Sequence, residues 1–167
     1  GAGMIIGYSV VPTALGRLLV AATDLGVCSV KLGDEVGALE RDLRREYPAA
    51  HVRRHDSPRH AWVRAIVAHL RGGPLSDLPI DVQATAFQWK VWRALQRIPY
   101  GETRSYAALA ASIGRPTASR AVARACATNP VALVVPCHRV VQTDGKLGGY
   151  RWGIDRKKRL LATERRR

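Results

Sequence analysis

The stretch that decides the fold of the second half of the chain runs Ser105-Tyr106-Ala107-Ala108-Leu109-Ala110-Ala111-Ser112-Ile113-Gly114-Arg115-Pro116-Thr117-Ala118-Ser119-Arg120-Ala121-Val122-Ala123-Arg124-Ala125-Cys126-Ala127-Thr128-Asn129-Pro130. Ser105 is a helix N-cap residue, whose hydroxyl accepts a hydrogen bond from an amide of the first turn. Gly114 suits the left-handed position that ends a helix. The spacing predicts one helix over residues 106–113, with Leu109 and Ile113 four apart on its buried face. Pro116 opens a second helix over residues 117–128, and Asn129-Pro130 closes it. Two short helices joined by Gly114-Arg115-Pro116 make a helix-turn-helix pattern over about residues 105–128. The same pattern also occurs in plain helical cores, so charge has to decide between the two readings.

The 167 residues carry 27 Lys/Arg against 13 Asp/Glu, a formal net charge of +14. Residues 1–84 hold 10 basic and 9 acidic side chains, a net of +1, and residues 85–167 hold 17 and 4, a net of +13. The excess belongs to the second half, and the terminal Arg165-Arg166-Arg167 accounts for only three of its charges. Such asymmetry points to a polyanionic partner, most simply nucleic acid. Arg115, Arg120 and Arg124 lie in a span with no acidic residue between Glu102 and Asp144. The second helix otherwise offers Ala118, Ser119 and a run of alanines, few of which reach base edges in the major groove. Small side chains suit close, sequence-independent approach through the minor groove.

Beyond these helices stands Val131-Ala132-Leu133-Val134-Val135, a buried strand or core segment, then Pro136-Cys137-His138-Arg139-Val140. A thiol is a weak nucleophile until it loses its proton, at a pKa of about 8.5, and a nearby imidazole or positive charge lowers that value. Cys137-His138 therefore reads as an activated nucleophile, against the plainer alternative of a small apolar cysteine beside a surface histidine. Asp144-Gly145 marks a tight turn, and Gly148-Gly149-Tyr150-Arg151-Trp152-Gly153 is a glycine-rich loop with two aromatics that suit approach to a base. A last helix over residues 154–164 is expected to pack Ile154, Leu160 and Leu161 inward, with Arg156, Lys157, Lys158 and Arg159 outward.

The first half reads as a small α/β domain, a small antiparallel sheet plus helices. Residues 4–11, 17–22 and 26–32 form a three-strand antiparallel meander. Asp34 is the expected cap of a helix to about residue 47, with Leu39 and Leu43 on one face. A further short strand falls within residues 49–56. Ser57-Pro58 is the expected start of a second helix, which turns Trp62, Ile66, Val67 and Leu70 inward. Residues 75–83 connect the halves, giving domains over 1–80 and 81–167. In the second domain Thr85 and Gln88 form a capping box for a helix to about residue 98.

Gly1-Ala2-Gly3 ahead of Met4 reads as a tag remnant. No signal peptide and no apolar stretch of membrane-spanning length, about 20 residues, is apparent. Cys28, Cys126 and Cys137 are odd in number and widely spaced, which argues against a disulfide framework and for a reducing, cytoplasmic setting. No zinc motif is present, and His51 and His55 read as solvated.

Pro136–Val140 matches the signature of the O6-alkylguanine-DNA alkyltransferases (methylated-DNA–protein-cysteine methyltransferases). Phe87-Gln88, Val91-Trp92, Leu95, Ile98 to Thr103 and Ser105-Tyr106 resemble that family's lead-in. Ile113 to Pro116, Arg120-Ala121-Val122 and Asn129-Pro130 resemble its helix-turn-helix and hinge. Gly148, Tyr150, Gly153, Leu160-Leu161 and Glu164 resemble its closing segment. Gly149-Tyr150-Arg151-Trp152-Gly153 is similar to the Ada-type bacterial branch. The resemblance is dense over residues 87–164. It implies a ribonuclease H-like α/β domain followed by a mostly helical DNA-binding domain.

The resemblance also implies direct repair of DNA in a single, irreversible turnover. Cys137 takes an alkyl group from O6-alkylguanine in double-stranded DNA after the base is flipped. His138 acts as general base through a water, since neighbouring residues seldom aim their side chains at one another. Glu164 orients the imidazole, and Tyr106 hydrogen-bonds or protonates guanine N3. Arg120 fills the gap in the base stack, and Asn129 is a hinge. Ala118, Ser119, Arg115 and Arg124 contact DNA, and Val140, Tyr150, Arg151 and Trp152 line the pocket. The Trp152 ring would narrow that pocket against larger substituents.

No cofactor and no metal is implied, and the partner is DNA bound by a monomer without a membrane. O4-alkylthymine stands open as a second lesion. Two other classes compete. A lesion sensor without chemistry would have no use for Cys137, and a cysteine hydrolase would leave the basic half unexplained. If phosphates dominate binding, DNA affinity should fall linearly on a log–log plot against salt, and a titration flat in salt would contradict the charge reading.

Overall fold

The structure, a computed structural model, describes residues 3–55, 60–75 and 77–166. The chain divides into two compact units. The first takes in the chain up to Arg71 together with Leu75–Val82 and Pro130–Ala132. The second takes in Gly72–Pro74, Gln83–Asn129 and the chain from Leu133 onward.

Three strands open the first unit: β1 (Ile5–Thr13), β2 (Gly16–Ala22) and β3 (Val27–Gly33). They pair antiparallel in succession, which is the expected meander. Strand β4 (His51–Arg54) adds to the other side of β1, giving the order β3-β2-β1-β4. It runs parallel to β1, with Ile6 opposite Val52, so the sheet is mixed and not wholly antiparallel as expected. The reason is topological. Helix α1 (Val36–Glu46) carries the chain across before β4, and a parallel partner needs such a crossover. Ile6, Tyr8 and Val10 alternate inward on β1 and form a core with Leu19, Ala21, Cys28, Leu39 and Leu43. The free edge of β3 is covered, since Val27 bridges Ile80 and Val30 bridges Val131.

Two helix starts differ from expectation. The cap of α1 is Glu35, one residue beyond Asp34, and its side chain makes no capping bond. Helix α2 spans Ala61–Leu70, and its cap is His60, which accepts from the Trp62 amide. The expected cap at Ser57-Pro58 lies outside the described residues. The inward face of α2 is set by Val63, Ile66 and His69, with Trp62 and Leu70 only half-buried. His51 and His55 are exposed.

The second unit begins with α3 (Ala86–Gln96), whose capping box between Thr85 and Gln88 is complete. Val91, Trp92, Ala94 and Leu95 are buried, and Trp92 Nε1 donates to the Ala125 carbonyl at 3.0 Å. Ser105 caps α4 (Tyr106–Ser112) by accepting from the Ala108 amide, and Gly114 follows in a left-handed conformation, φ 76°. Helix α5 (Ser119–Ala127) starts two residues later than expected, because Pro116 and Thr117 remain in the turn and Ala118 is the cap. A two-residue pair, β5 (Arg104–Ser105) with β6 (Val140–Val141), runs parallel beside these helices. Helix α6 (Ile154–Arg165) ends the unit.

Packing in α6 inverts two expectations. Ile154 is 49% exposed, whereas Lys157 is fully buried. Three backbone carbonyls capture the Lys157 ammonium, and an apolar side chain at the first turn has nothing comparable to gain. Among the described residues, no helix is long and apolar enough to cross a membrane.

Leu43 is fully buried and Leu25 is 76% exposed. Leu43→Ala should cost about 2–5 kcal/mol in urea unfolding, against less than about 0.5 kcal/mol for Leu25→Ala. Equal costs would contradict this core.

Candidate active site

All ten residues from Val131 to Val140 are buried. The segment is a core segment and not a regular strand. It holds isolated bridges, and Leu133 sits at φ 72°, a left-handed conformation that non-glycine residues rarely take. Its end is a 3₁₀ turn over Cys137–Arg139. A 3₁₀ turn holds about three residues, so consecutive side chains diverge by about 120°. Cys137 and His138 accordingly face different partners. Asn129 Nδ2 donates to Cys137 Sγ at 3.3 Å and to the Val135 carbonyl at 2.9 Å. His138 meets Glu164 Oε2 at 2.6 Å.

Glu164 gathers the buried polar groups of this region. Arg139 Nε donates to Glu164 Oε1 at 2.8 Å and Arg139 Nη2 to Oε2 at 3.2 Å, a two-pronged contact. Arg139 Nη1 reaches the Ile98 carbonyl just beyond α3, at 3.0 Å. Burial by itself would raise the Glu164 pKa. The hydrogen bonds from His138 and Arg139 together outweigh it and hold the carboxyl at about 2, below its ordinary 4.5. An ionised carboxylate accepts only, so His138 Nε2 carries the hydrogen and Nδ1 is the basic nitrogen of the neutral ring.

Cys137 opens onto a cavity of about 320 Å³ lined by Tyr106, Ala123, Cys126, Ala127, Cys137, Gly149, Tyr150 and Arg151. That volume is at the small end for organic ligands. Burial pushes the Cys137 thiol up, against the lowering that the bare Cys-His pair suggested, although the Asn129 hydrogen bond and the Lys157 and Arg151 charges act downward. At rest Cys137 is therefore a thiol. Burial also raises the Tyr106 phenol to about 12, helped by the two nearby cysteines, so it remains an O–H donor at neutral pH. Gly148, at φ 71°, lets the loop pass Tyr106. A Cβ there would stand 3.3 Å from Tyr106 Cε2. A larger cavity of about 530 Å³ in the first unit, between β1 and α2, is lined by no cysteine and by none of the residues expected to form the site.

The structure brings Tyr106, Asn129, Cys137, His138, Glu164, Tyr150 and Arg151 together. Val140 and Trp152 do not line the cavity. Val140 is in β6, and the Trp152 ring packs under the Arg151 guanidinium, 4.6 Å from its Cζ. The expected narrowing by Trp152 therefore has no basis in the resting geometry. Arg115, Arg120 and Arg124 are exposed, with Ala118 and Ser119 half-buried at the start of α5. Cys126 is buried and also lines the cavity, and burial raises its thiol pKa.

Two contributors escaped the sequence reading. Arg139 lay inside the quoted signature, but no spacing rule pairs it with a residue 25 positions away. Lys157 Nζ donates to the carbonyls of Val140, Leu147 and Gly149 at 2.6, 2.5 and 3.1 Å. It thus pins the loop that walls the cavity. Its only sequence signal is a lysine at the i−3 position from Leu160.

Because its folded pKa is depressed, Glu164 contributes stability that is present above pH 4.5 and is lost as pH falls toward 2. Glu164→Gln should flatten the pH dependence of the urea midpoint in that window. An unchanged slope would show the carboxylate is not held as described.

The family model described as "6-O-methylguanine DNA methyltransferase, DNA binding domain" matches residues 86–166. The bifunctional transcriptional activator/DNA repair enzyme Ada of Escherichia coli K12 is 47% identical over 98% of this chain and 47% of its own length. The regulatory protein ada of Salmonella typhimurium aligns over the same share, so the chain spans about half the length of these two relatives. The methylated-DNA–protein-cysteine methyltransferase of Mycolicibacterium paratuberculosis is 42% identical over 96% of this chain and 93% of its own. Among solved structures, the O6-methylguanine methyltransferase of Mycobacterium tuberculosis superposes with a TM-score of 0.81 at 34% identity, over 97% of this chain and 94% of the other. Identity of this order, over nearly the full length of single-module relatives, decides the assignment: the chain belongs to the methylated-DNA–protein-cysteine methyltransferase family.

Proposed function

We propose that this chain repairs DNA by moving the alkyl group of O6-alkylguanine in a duplex onto Cys137, once per molecule. The observation that carries the reading is the cavity that joins a nucleophile to a donor. Cys137 and Tyr106 line one small space, and behind it His138 is held by an ionised Glu164. Family membership and the basic second half support DNA as the partner.

The chemistry follows from the resting protonation states. The Cys137 proton passes through a water to His138 Nδ1, and Glu164 stabilises the resulting imidazolium. The thiolate attacks the alkyl carbon as the bond to O6 breaks. The electron pair leaves with guanine, and Tyr106 supplies a hydrogen bond or proton at N3. Burial that raises the thiol pKa keeps the nucleophile protonated until a substrate occupies the cavity. The thioether product has no route back, so each molecule acts once.

We read α4 and α5 as the helix-turn-helix and the first unit as a ribonuclease H-like scaffold. The alanine-rich face of α5 approaches the minor groove without regard to sequence, and the protein acts as a monomer. The base turns out of the stack into the cavity, Arg120 fills the gap, and Arg115, Arg124, Ala118 and Ser119 contact the backbone. Asn129 ties the end of α5 to the nucleophile through its bonds to Val135 and Cys137.

Incubation with duplex DNA containing O6-methylguanine, followed by intact mass, tests the reading. The expected result is a gain of one methyl per molecule, absent in Cys137→Ala and not increased by excess DNA. DNA binding with no mass gain would favour a sensor and overturn the reading.

A further inference from the structure

Helix α3 carries a cationic face of its own, apart from the cations of α5. Lys90, Arg93 and Arg97 are all exposed, and at about 100° per residue they fall within about 60° of one another around the helix. Trp92, whose ring donates to the Ala125 carbonyl of α5 at 3.0 Å, points about 100–160° away from them. The stripe is therefore turned away from α5, whose exposed cations are Arg120 and Arg124. No acidic residue stands between Asp81 and Glu102, and Glu102 is paired with Arg104 at 3.1 Å. None of the three cations pairs with a carboxylate among the described residues. The Arg93 guanidinium lies 5.6 Å from the Trp89 ring, a contact that orders it at the surface.

We propose that this face of α3 holds the phosphate backbone of a second DNA segment while α5 faces the first, so that one molecule bridges two duplexes. The proposal rests on the reading of duplex DNA as the partner and adds a second contact surface to it. A cationic face without counter-charges costs stability through self-repulsion, and a bound polyanion removes that cost. The helix macrodipole accounts for cations at the C-terminal end, such as Arg93 and Arg97, but not for Lys90 in the middle of the helix. The dimensions also match. From Lys90 to Arg97 the helix rises about 10 Å, a length over which a duplex presents about six phosphates.

Because the two faces point apart, a duplex lying along α5 leaves the α3 stripe open. A molecule held on one duplex can engage another before it lets go, and so pass between segments without a free intermediate. Lys and Arg contacts to phosphate carry no sequence information, which suits a search for rare lesions.

Native mass spectrometry at low salt tests this with the full chain and two short duplexes of different mass, one of them carrying O6-methylguanine. The natural protein should give a complex of one protein with both duplexes. Combining Lys90→Gln, Arg93→Gln and Arg97→Gln should lower the yield of that complex by about tenfold or more, while methyl transfer and single-duplex affinity stay within about threefold. Combining Lys90→Arg, Arg93→Lys and Arg97→Lys keeps the charges and should keep the complex. Added salt should weaken the second duplex with a log–log slope of about −3, for three phosphate contacts. Methyl transfer by the natural protein with no complex of one protein and two duplexes would make the stripe a solvated face and overturn the proposal. So would a two-duplex complex that always holds two proteins, or one that the Gln variant retains in full. No binding to a single duplex would remove the DNA reading and the proposal with it.

Discussion

A buried carboxylate, Glu164 near the end of α6, is the constraint on which the second unit depends. It receives His138 on one oxygen, and Arg139 donates to both oxygens. Arg139 in turn reaches the carbonyl that follows α3. Three parts of the chain therefore converge on one ionised group. Removing one partner of such a cluster leaves a buried charge uncompensated, which costs about 3–5 kcal/mol in comparable cases. The same contacts select the histidine tautomer, so architecture and the proposed proton path share their parts.

A second buried charge works on backbone instead of side chains. The Lys157 ammonium has three donors, and three backbone carbonyls use them, Val140 in β6 and Leu147 and Gly149 in the loop that follows. The loop around Gly148 to Gly153 has little regular structure of its own. A buried cation that satisfies its carbonyls gives it one conformation. Burial draws the lysine pKa down, and the neighbouring cysteines act against that. Cys137 shows the converse, since burial holds it as a thiol while nearby cations lower the cost of its anion.

Local signals were legible wherever a few adjacent residues decide the conformation. The Thr85–Gln88 capping box, the Ser105 cap and the meander of β1 to β3 all stand where the sequence places them. Helix starts slipped by a residue or two, with Glu35 in place of Asp34 as the cap of α1 and Ala118 as the cap of α5 after Pro116 and Thr117 stay in the turn. The face of α2 rotated by one residue because Val63 and Trp62 are both apolar, and packing alone chooses between them.

What the sequence by itself determined is the chemical make-up of the second half: a cysteine–histidine pair after a buried run, a basic helix pair before it and an acidic residue near the C-terminus. Composition and spacing carry such information because charge, capping and periodicity are local properties. Tertiary structure alone decided that Lys157 turns inward, that Arg139 joins Glu164, that β4 runs parallel and that Trp152 stands away from the cavity lining. Each of these turns on partners between one and some 45 positions distant, and a side chain's preference for water or the interior is settled by the groups that folding brings to it.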